Sequence, residues 1–240
     1  MSTLLLSDLH LPPQPSVLRD SFIAFLDGPA RDATAVYILG DLFEYWIGDD
    51  VGLAVYAAEI AHLRALSNSG VAVWVQHGNR DFLLGAAFER ASGARLLPDP
   101  SVVDIDDERW LLTHGDAFCT DDVAYQKWRR FSRNPLAQAI FTRLPRRWRE
   151  RIAGGVRGGS HDAKAGKSAA IMDVNAAAVA RGLHEAQTLY VIHGHTHRPA
   201  DHAVARGGAG GVRVVLADWR EDRREYLEIS GGQRRRVNLV

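Results

Sequence analysis

The chain alternates short apolar runs with amphipathic segments, and five of the apolar runs stop abruptly at polar residues. These five runs cover residues 4–6, 36–39, 71–75, 110–112 and 189–192. Short apolar runs that are bounded by turn-forming residues predict buried β-strands. Between the runs, apolar residues recur at helical spacing over residues 16–27, 53–67 and 82–91. After His197, short strands are expected at 213–216 and 226–229, and residues 231–236 are expected to form a turn and a solvated edge. The alternation of the two patterns predicts an α/β protein built from stacked layers.

Each of the five predicted strands is followed by side chains that bind metal ions in proteins, and four of these endings contain a glycine. In chain order the candidate ligands are Asp8, His10, Asp41, Asn79, His114, His195 and His197. Sites of open α/β sheets lie at the carboxyl ends of the strands. Any one of these endings, taken alone, is typical of an ordinary turn. The presence of five such endings in one chain favours a common metal site.

The segment between His114 and His195 interrupts the pattern with about 80 residues that predict helices and no strand. A stripe with a spacing of four residues is formed by Leu136, Ile140, Leu144, Trp148 and Ile152. Pro145 is expected to kink this helix, the glycines between 154 and 159 predict a loop, and a further helix is expected from 168 to about 187. We interpret residues 120–187 as a helical lid inserted into a core of residues 1–119 and 188–240.

Residues 127–157 of this insertion contain ten Lys or Arg and only one acidic residue, Glu150. Three explanations are open: a solvated helix face, a nucleic-acid-binding surface, or contact with an anionic lipid surface. Aromatic residues are sparse among the cations, which disfavours nucleic acid. Arg and Trp beside an apolar stripe suit the headgroup boundary of a membrane. A combination of a solvated face and lipid contact is therefore favoured.

The overall composition narrows the class of protein. The formal net charge of the 240 residues is zero, so the average charge indicates no nucleic-acid partner. The single cysteine, Cys119, excludes an internal disulfide framework and indicates a reducing compartment. The pattern shows neither a signal peptide nor the roughly 20 apolar residues of a membrane span. A cytoplasmic protein is expected, with no obligate protein partner evident.

The chemistry of the candidate ligands points to hydrolysis at phosphorus. Carboxylate, imidazole and amide groups together suit a divalent ion such as Mn²⁺, Fe²⁺ or Zn²⁺. Seven ligands are too many for one ion but suit two ions that share a carboxylate, roughly 3.5–4 Å apart. Two such ions activate water and neutralise phosphate oxygens. The sequence therefore predicts cleavage of a phosphoester or a phosphoanhydride.

The order of the motifs resembles the signature of the calcineurin-like metallophosphoesterases. The matching motifs are Asp8-Leu9-His10, Gly40-Asp41, Gly78-Asn79, His114-Gly115 and Gly194-His195-Thr196-His197. The resemblance implies a β-sandwich flanked by helices, whereas the strand pattern alone also allows a single doubly wound sheet. It implies that one ion is held by Asp8, His10, Asp41 and His197, and the other by Asp41, Asn79, His114 and His195. Asp41 would then bridge the two ions.

A narrower resemblance covers residues 39–50, 77–85, 171–175 and 193–199. It is to a group within that family that cleaves UDP-2,3-diacylglucosamine to UMP and 2,3-diacylglucosamine 1-phosphate, using manganese, in lipid A biosynthesis. This implies a lipid substrate met at the cytoplasmic face of the inner membrane. The implied substrate contacts are Asn79, Arg80, Asp122, Ser160, Lys164, Lys167 and His195, and the implied catalytic residues are Asp41, Asn79, Arg80, His114 and His195. Lys164 departs from the Asn of that group.

Arg80 marks a departure from the wider family, many of whose members have His after Gly-Asn as the acid for the leaving group. Arginine does not release a proton at neutral pH, so Arg80 is expected to clamp phosphate oxygens. The alternative is a structural ion pair with Asp81 or Asp116. Two other functions also remain open: a non-catalytic scaffold, which the intact ligand set disfavours, and a metal-dependent nuclease that uses the basic insertion.

Overall fold

The computed structural model describes residues 2–165, 173–206 and 209–240, with the backbone alone described at 157–165, 205–206 and 209. The strands are β1 (Ser2–Leu6), β2 (Ala35–Leu39), β3 (Ala72–Gln76), β4 (Arg95–Leu97), β5 (Ser101–Ile105), β6 (Glu108–Thr113), β7 (Tyr190–His193), β8 (Ala200–Arg206), β9 (Ala209–Val215), β10 (Glu225–Ser230) and β11 (Gln233–Asn238). The helices are α1 (Val17–Asp27), α2 (Asp49–Val55), α3 (Ala57–Asn68), α4 (Ala86–Ser92), α5 (Val123–Ser132), α6 (Pro135–Arg143), α7 (Arg146–Ala165) and α8 (Ala176–Glu185). Single 3₁₀ turns lie at Pro29–Asp32 and Asp116–Phe118.

The strands form two sheets that pack face to face. The first has the order β11-β10-β1-β2-β3-β4, and the second has the order β5-β6-β7-β9-β8. Strands β1 to β4 run parallel to one another, as do β6, β7 and β9. The expected β-sandwich flanked by helices is thereby confirmed, and the single doubly wound sheet is excluded.

The alternation of side chains along β1 shows how the layers are built. Leu4 and Leu6 pack on the helical side, together with Phe22 and Leu63, whereas Leu5 points between the two sheets. Successive strand residues face opposite sides of a sheet, and this strand is covered on both faces. Residues 4–6 are therefore apolar at every position, because each face of β1 is buried. Helix α8 covers the outer face of the second sheet through contacts with β6 and β7.

All five strands that precede the candidate ligands are confirmed, as are those expected at residues 213–216 and 226–229. The pattern missed β4, β5 and β8, which are short or polar strands at or near sheet edges. The turn expected at Gly231 and Gly232 is present, with φ of 57° and 73°, values that glycine adopts without strain. The residues after it, expected as a solvated edge, pair with β10 as strand β11.

Two helix predictions in the core were wrong in detail. The single helix expected at 53–67 is two helices, because the chain bends at the buried Tyr56, whose hydroxyl donates to Leu11 O at 3.0 Å. The helix expected from residue 82 begins at Ala86, where the distant Asp49 carboxylate accepts hydrogen bonds from the first-turn N–H groups of Ala87 and Phe88. A cap supplied from another part of the chain leaves no local sequence signal.

The insertion contains four helices within the described residues. The stripe from residue 136 to 152 does not lie on one helix. Helix α6 ends before Leu144 and α7 begins after Pro145, so the helix is interrupted at the position where a kink was expected. The loop expected between residues 154 and 159 was also wrong, since α7 continues to Ala165. An interior glycine costs a helix about 1 kcal/mol but does not forbid it. Among the described helices, none combines the length and the apolar character that a bilayer crossing requires.

Candidate metal centre

The loops that follow β1, β2, β3, β6 and β7 meet at one edge of the sandwich. Backbone hydrogen bonds join them: Asp8 N donates to Gly40 O at 3.1 Å, and Gly194 N donates to His114 O at 3.0 Å. All seven ligands predicted from the sequence belong to these loops. The structure therefore brings together residues that lie up to 189 positions apart, from Asp8 to His197.

The backbone is strained where these ligands sit. Positive φ values are found at Asp8 (56°), His10 (46°), Asp41 (52°), His195 (67°) and His197 (56°). Residues other than glycine adopt this region rarely, and such strain concentrates at functional sites. The left-handed residues turn each chain sharply after its strand. Side chains of the loops after β1, β2 and β7 can therefore point into a common space.

One group of donor atoms surrounds the Asp8 carboxylate. The distance from Asp8 Oδ1 to His197 Nε2 is 3.3 Å, and the distance to His10 Nε2 is 3.9 Å. The two imidazole nitrogens are 3.3 Å apart, and His10 Nε2 lies 3.8 Å from Asp41 Oδ2. Three of these donors are close enough to one another to share a single ion.

A second group surrounds His114, which is completely buried. Its Nε2 lies 3.2 Å from Asn79 Oδ1, 3.2 Å from His195 Nδ1 and 3.8 Å from Asp41 Oδ2. The same oxygen of Asp41 thus faces both groups. Asp41 Oδ2 therefore lies between the two groups of donor atoms.

Two glycines make this close approach of the loops possible. A Cβ atom on Gly78 would lie 2.1 Å from Asp41 Oδ1, and one on Gly194 would lie 2.2 Å from Asp8 Oδ2. Any side chain at either position would displace a carboxylate of the centre. The glycines in the two motifs are therefore required for space.

Outer contacts orient the ligands. His114 Nδ1 lies 2.9 Å from Leu39 O and donates its proton there, so Nε2 is the nitrogen that is oriented toward the donor group. His197 Nδ1 lies 3.5 Å from a carboxylate oxygen of Asp218. Asp218 was not predicted from the sequence, although it follows the strand expected at 213–216 in the same way that the metal ligands follow their strands.

Burial and charge set the protonation of these groups. Burial raises the pKa of Asp8, but the close contact with His197 and the charges of the neighbouring histidines outweigh it and hold the pKa well below its usual range. Burial lowers the pKa of His10 to about 4. Burial also opposes the charge on His114, but Asp41 and Asp8 prevail and raise its pKa to about 9. Burial raises the pKa of Asp41.

These residues fit divalent metal ions. Asp8 Oδ1 is buried and has no hydrogen-bond partner among the described residues, yet it faces two imidazole nitrogens. A buried carboxylate oxygen needs a donor or a cation. The donors are all oxygen or imidazole nitrogen, the set that ions such as Mn²⁺ and Zn²⁺ accept. An ion at each group would give Asp8 Oδ1 a partner and would bind the imidazole nitrogens that lie within 3.3 Å of each other.

Arg80 lies beside this centre. Its backbone N–H donates to Asp41 Oδ1 at 2.8 Å, and its guanidinium is 3.6 Å from Glu44. The alternative that paired it with Asp81 or Asp116 is not supported. Asp81 accepts hydrogen bonds from backbone N–H groups, including Leu42 N at 2.8 Å, and Asp116 pairs with arginines of α5 and its C-cap. Arg80 Nε is buried without a partner in the described part of the chain.

The remaining predicted substrate contacts lie on the insertion. Asp122 is the N-cap of α5 and accepts a hydrogen bond from Tyr125 N at 3.0 Å. Ser160 and Lys164 lie in α7 where only the backbone is described, and Lys167 is outside the described residues. The structure thus leaves the side chains of these three residues unplaced. Tyr125 was not predicted from the sequence, and its ring centroid lies 5.8 Å from that of His195.

Two donor groups that share one carboxylate, at the strand ends of a two-sheet α/β sandwich, define a metal-dependent hydrolase. Comparison with known proteins agrees. Residues 1–199 match the family model of the calcineurin-like phosphoesterases. The chain belongs to this family, and the family resemblance seen in the motif order is confirmed.

Relatives that share one name match nearly the whole chain. A protein of Aromatoleum aromaticum named UDP-2,3-diacylglucosamine hydrolase is 49% identical over 231 residues, which cover 96% of this chain and 94% of the relative. A protein of the same name from Serratia proteamaculans is 46% identical over 219 residues, 91% of either chain. The similarity is therefore not confined to the ligand motifs.

Proposed function

We propose that the chain hydrolyses the pyrophosphate bond of UDP-2,3-diacylglucosamine to UMP and 2,3-diacylglucosamine 1-phosphate. The observation that carries the proposal is the pair of donor groups that share Asp41 Oδ2, since this arrangement suits displacement at phosphorus. The name of the relatives, at 46–49% identity along nearly the full chain, supports the choice of substrate.

We assign Asp8, His10, Asp41 and His197 to one ion and Asp41, Asn79, His114 and His195 to the other, with Mn²⁺ as the metal. When bound, two such ions lower the pKa of water toward about 7 and neutralise phosphate oxygens. The protein holds the ligands in place: Leu39 O fixes the ring of His114, and Asp218 orients His197. His195 and Asn79, both partly exposed, also face the incoming substrate.

Arg80 is assigned to the phosphate oxygens of the substrate. Its partly exposed guanidinium lies beside the centre, and its only recorded ion pair among the described residues is the 3.6 Å contact with Glu44. A guanidinium binds phosphate through paired hydrogen bonds. The leaving sugar 1-phosphate is a stable anion, so its departure needs charge neutralisation more than a proton.

Arg80→Ala is expected to lower kcat/KM by about 10- to 100-fold, the loss of one charged, bidentate contact. Metal content should stay at the wild-type level, because the backbone N–H that Arg80 donates to Asp41 is retained. Arg80→Lys should recover only part of the rate, since a lysine lacks the planar fork. Loss of metal together with activity in Arg80→Ala would show that the residue is structural.

We further propose that the insertion at 120–187 holds the acyl chains and rests on the anionic surface of the inner membrane, on its cytoplasmic face. Most of the large apolar side chains exposed in the described chain belong to α5, α6 and α7: Val123, Trp128, Phe131, Leu136, Ile140, Trp148, Ile152 and Val156. Arginines of the same helices lie among them. Contiguous exposed apolar surface marks an interaction site, and cations beside it suit anionic headgroups.

The function is tested by measuring UMP release from UDP-2,3-diacylglucosamine with Mn²⁺, with Mg²⁺ and with chelator. We expect release that Mn²⁺ stimulates most and that chelator abolishes. Single-stranded DNA is assayed in parallel. Metal-stimulated cleavage of DNA without release of UMP would replace the proposal with a nuclease, and no turnover of either substrate would favour a scaffold.

A further inference from the structure

A buried carboxylate that belongs to neither donor group lies beneath the first helix of the insertion. Asp116 is completely buried, and its Oδ2 accepts hydrogen bonds from Tyr125 Oη at 2.6 Å and from Arg129 Nε at 2.9 Å. Arg133, the C-cap of α5, lies 3.6 Å from the same oxygen. We refer to Asp116, Tyr125, Arg129 and Arg133 as the Asp116 network. It fixes α5 to the core.

The two arginines of the network also reach the loops that carry metal ligands. Arg133 Nη2 donates to Gly78 O at 2.9 Å, immediately before Asn79. Arg129 Nη2 lies 3.5 Å from Asp99 Oδ2, and the other oxygen of Asp99 accepts the backbone N–H of His114 at 3.1 Å. Each arginine therefore joins α5 to the backbone at one ligand of the second donor group.

Tyr125 adds a third connection. Its hydroxyl is held by Asp116, and its ring packs against the ring of His195, with centroids 5.8 Å apart and an interplanar angle of 31°. The network thus contacts the immediate surroundings of Asn79, His114 and His195. These are the three residues that, with Asp41, form the second donor group. No contact from the network to His10 or His197 is recorded within the described residues.

We propose that the Asp116 network consists of positioning residues for the second metal position, and that α5 is a fixed part of that position and not a mobile lid. The inference rests on the two-ion assignment made under the proposed function. Side chains of the helix set the separation of the β3, β6 and β7 loops, and this separation decides whether Asn79, His114 and His195 can share one ion. The insertion thereby couples its hold on the substrate to one of the two ions.

A second anchor of the insertion provides a comparison. Arg149 of α7 is buried, forms a bidentate ion pair with Asp50, and donates to Ile47 O at 2.6 Å. This anchor joins α7 to the first turn of α2 and to Ile47, at the far end of the loop that carries Asp41. Among the described residues it makes no contact with the loops after β3, β6 and β7, which the Asp116 network reaches. If attachment of the insertion were all that mattered, weakening either anchor would have the same effect on metal binding.

The test titrates purified apoprotein with Mn²⁺ alone, following both binding steps by calorimetry and metal content by elemental analysis. Electron paramagnetic resonance reports whether the ions form a spin-coupled pair. The variants are Asp116→Asn, Arg129→Gln and Arg133→Gln. The matched controls are Arg130→Gln, an exposed arginine of the same helix, and Asp50→Asn at the second anchor.

We expect the network variants to weaken one equivalent of Mn²⁺ by about 10-fold or more, the range seen for outer-shell partners of metal ligands. The other equivalent should bind as in the wild type, the coupled signal should fall, and both controls should behave as the wild type. Arg133→Gln leaves the Asp116–Arg129 pair intact, so it serves if Arg129→Gln does not fold.

Equal weakening of both equivalents, or no change in either, would overturn the positioning role. The same loss in Asp50→Asn would reduce the network to a general anchor and would also overturn it. A wild-type protein that binds a single equivalent would instead refute the two-ion assignment. The failure of the inference and the failure of the proposed function are therefore distinguishable.

Discussion

Asp41→Asn is expected to reduce hydrolysis by more than about 100-fold, beyond what outer-shell changes at metal sites cost. Asp41 Oδ2 lies 3.8 Å from a nitrogen of His10 and 3.8 Å from a nitrogen of His114, so one oxygen serves both donor groups. The substitution keeps the side-chain shape but removes the charge that would bridge two cations. Both equivalents of metal should bind more weakly, as measured by elemental analysis of the dialysed protein.

The fold should survive this change. The Asn oxygen can still accept the backbone N–H of Arg80, now 2.8 Å from Asp41 Oδ1, and Asn tolerates the φ of 52° at this position. Melting temperature with and without Mn²⁺ separates the effects: the metal-induced rise seen in the wild type should largely disappear. Asp106→Asn is a matched control, because Asp106 also has a positive φ, of 50°, and lies outside the ligand loops. Wild-type activity in Asp41→Asn would refute the bridge.

The donor groups could be predicted because each ligand follows its strand directly. A buried strand with two covered faces is apolar at every position, so its end is visible in the sequence, and the polar residue after it stands at the sheet edge. The same rule, applied to residues 213–216, would have found Asp218. Asp218 lies beyond His197, the last residue of the five motifs, so no motif marks it.

Other parts of the site depend on contacts between distant segments. The Asp116 network forms because a helix from the insertion returns over the loops after β3 and β6, which no local pattern reveals. Asp49 caps α4 although it lies 36 residues before Gly85, the first residue whose N–H donates to its carboxylate. Arg149 illustrates the same limit, since it reads as one of ten cations on a solvated helix yet is buried against Asp50.

The insertion combines two surfaces with different roles. Its inner side, formed by Tyr125, Arg129 and Arg149, is bound to the core through buried polar contacts. Its outer side presents Phe131, 62% exposed, and Leu136, 69% exposed. A helical segment that only covered the core would place these apolar residues inward. The sequence showed the stripe but not its direction, because helical spacing does not tell which neighbour a face will meet.

Ile140→Glu tests whether this outer surface holds lipid. Ile140 is 58% exposed on α6, so the charge should cost the fold little, and the melting temperature should stay near that of the wild type. Burial of one such side chain against an acyl chain contributes about 1.5–3 kcal/mol. Losing that contact should lower kcat/KM for UDP-2,3-diacylglucosamine by about 10- to 100-fold. Hydrolysis of a small, water-soluble phosphodiester should be unchanged, because the donor groups are intact.

Val17→Glu is the matched control for Ile140→Glu, since Val17 is a β-branched side chain exposed to a similar extent, 53%, on α1 of the core. It should leave both substrates unaffected. Leu136→Glu, on the same helix as Ile140, should repeat the selective loss with the lipid substrate. An equal loss with both substrates in a folded Ile140→Glu protein would count against a lipid-holding surface, as would a loss in Val17→Glu. Selective loss confined to the insertion would mean that the apolar stripe recognises the acyl chains while the strand-end loops act on the pyrophosphate.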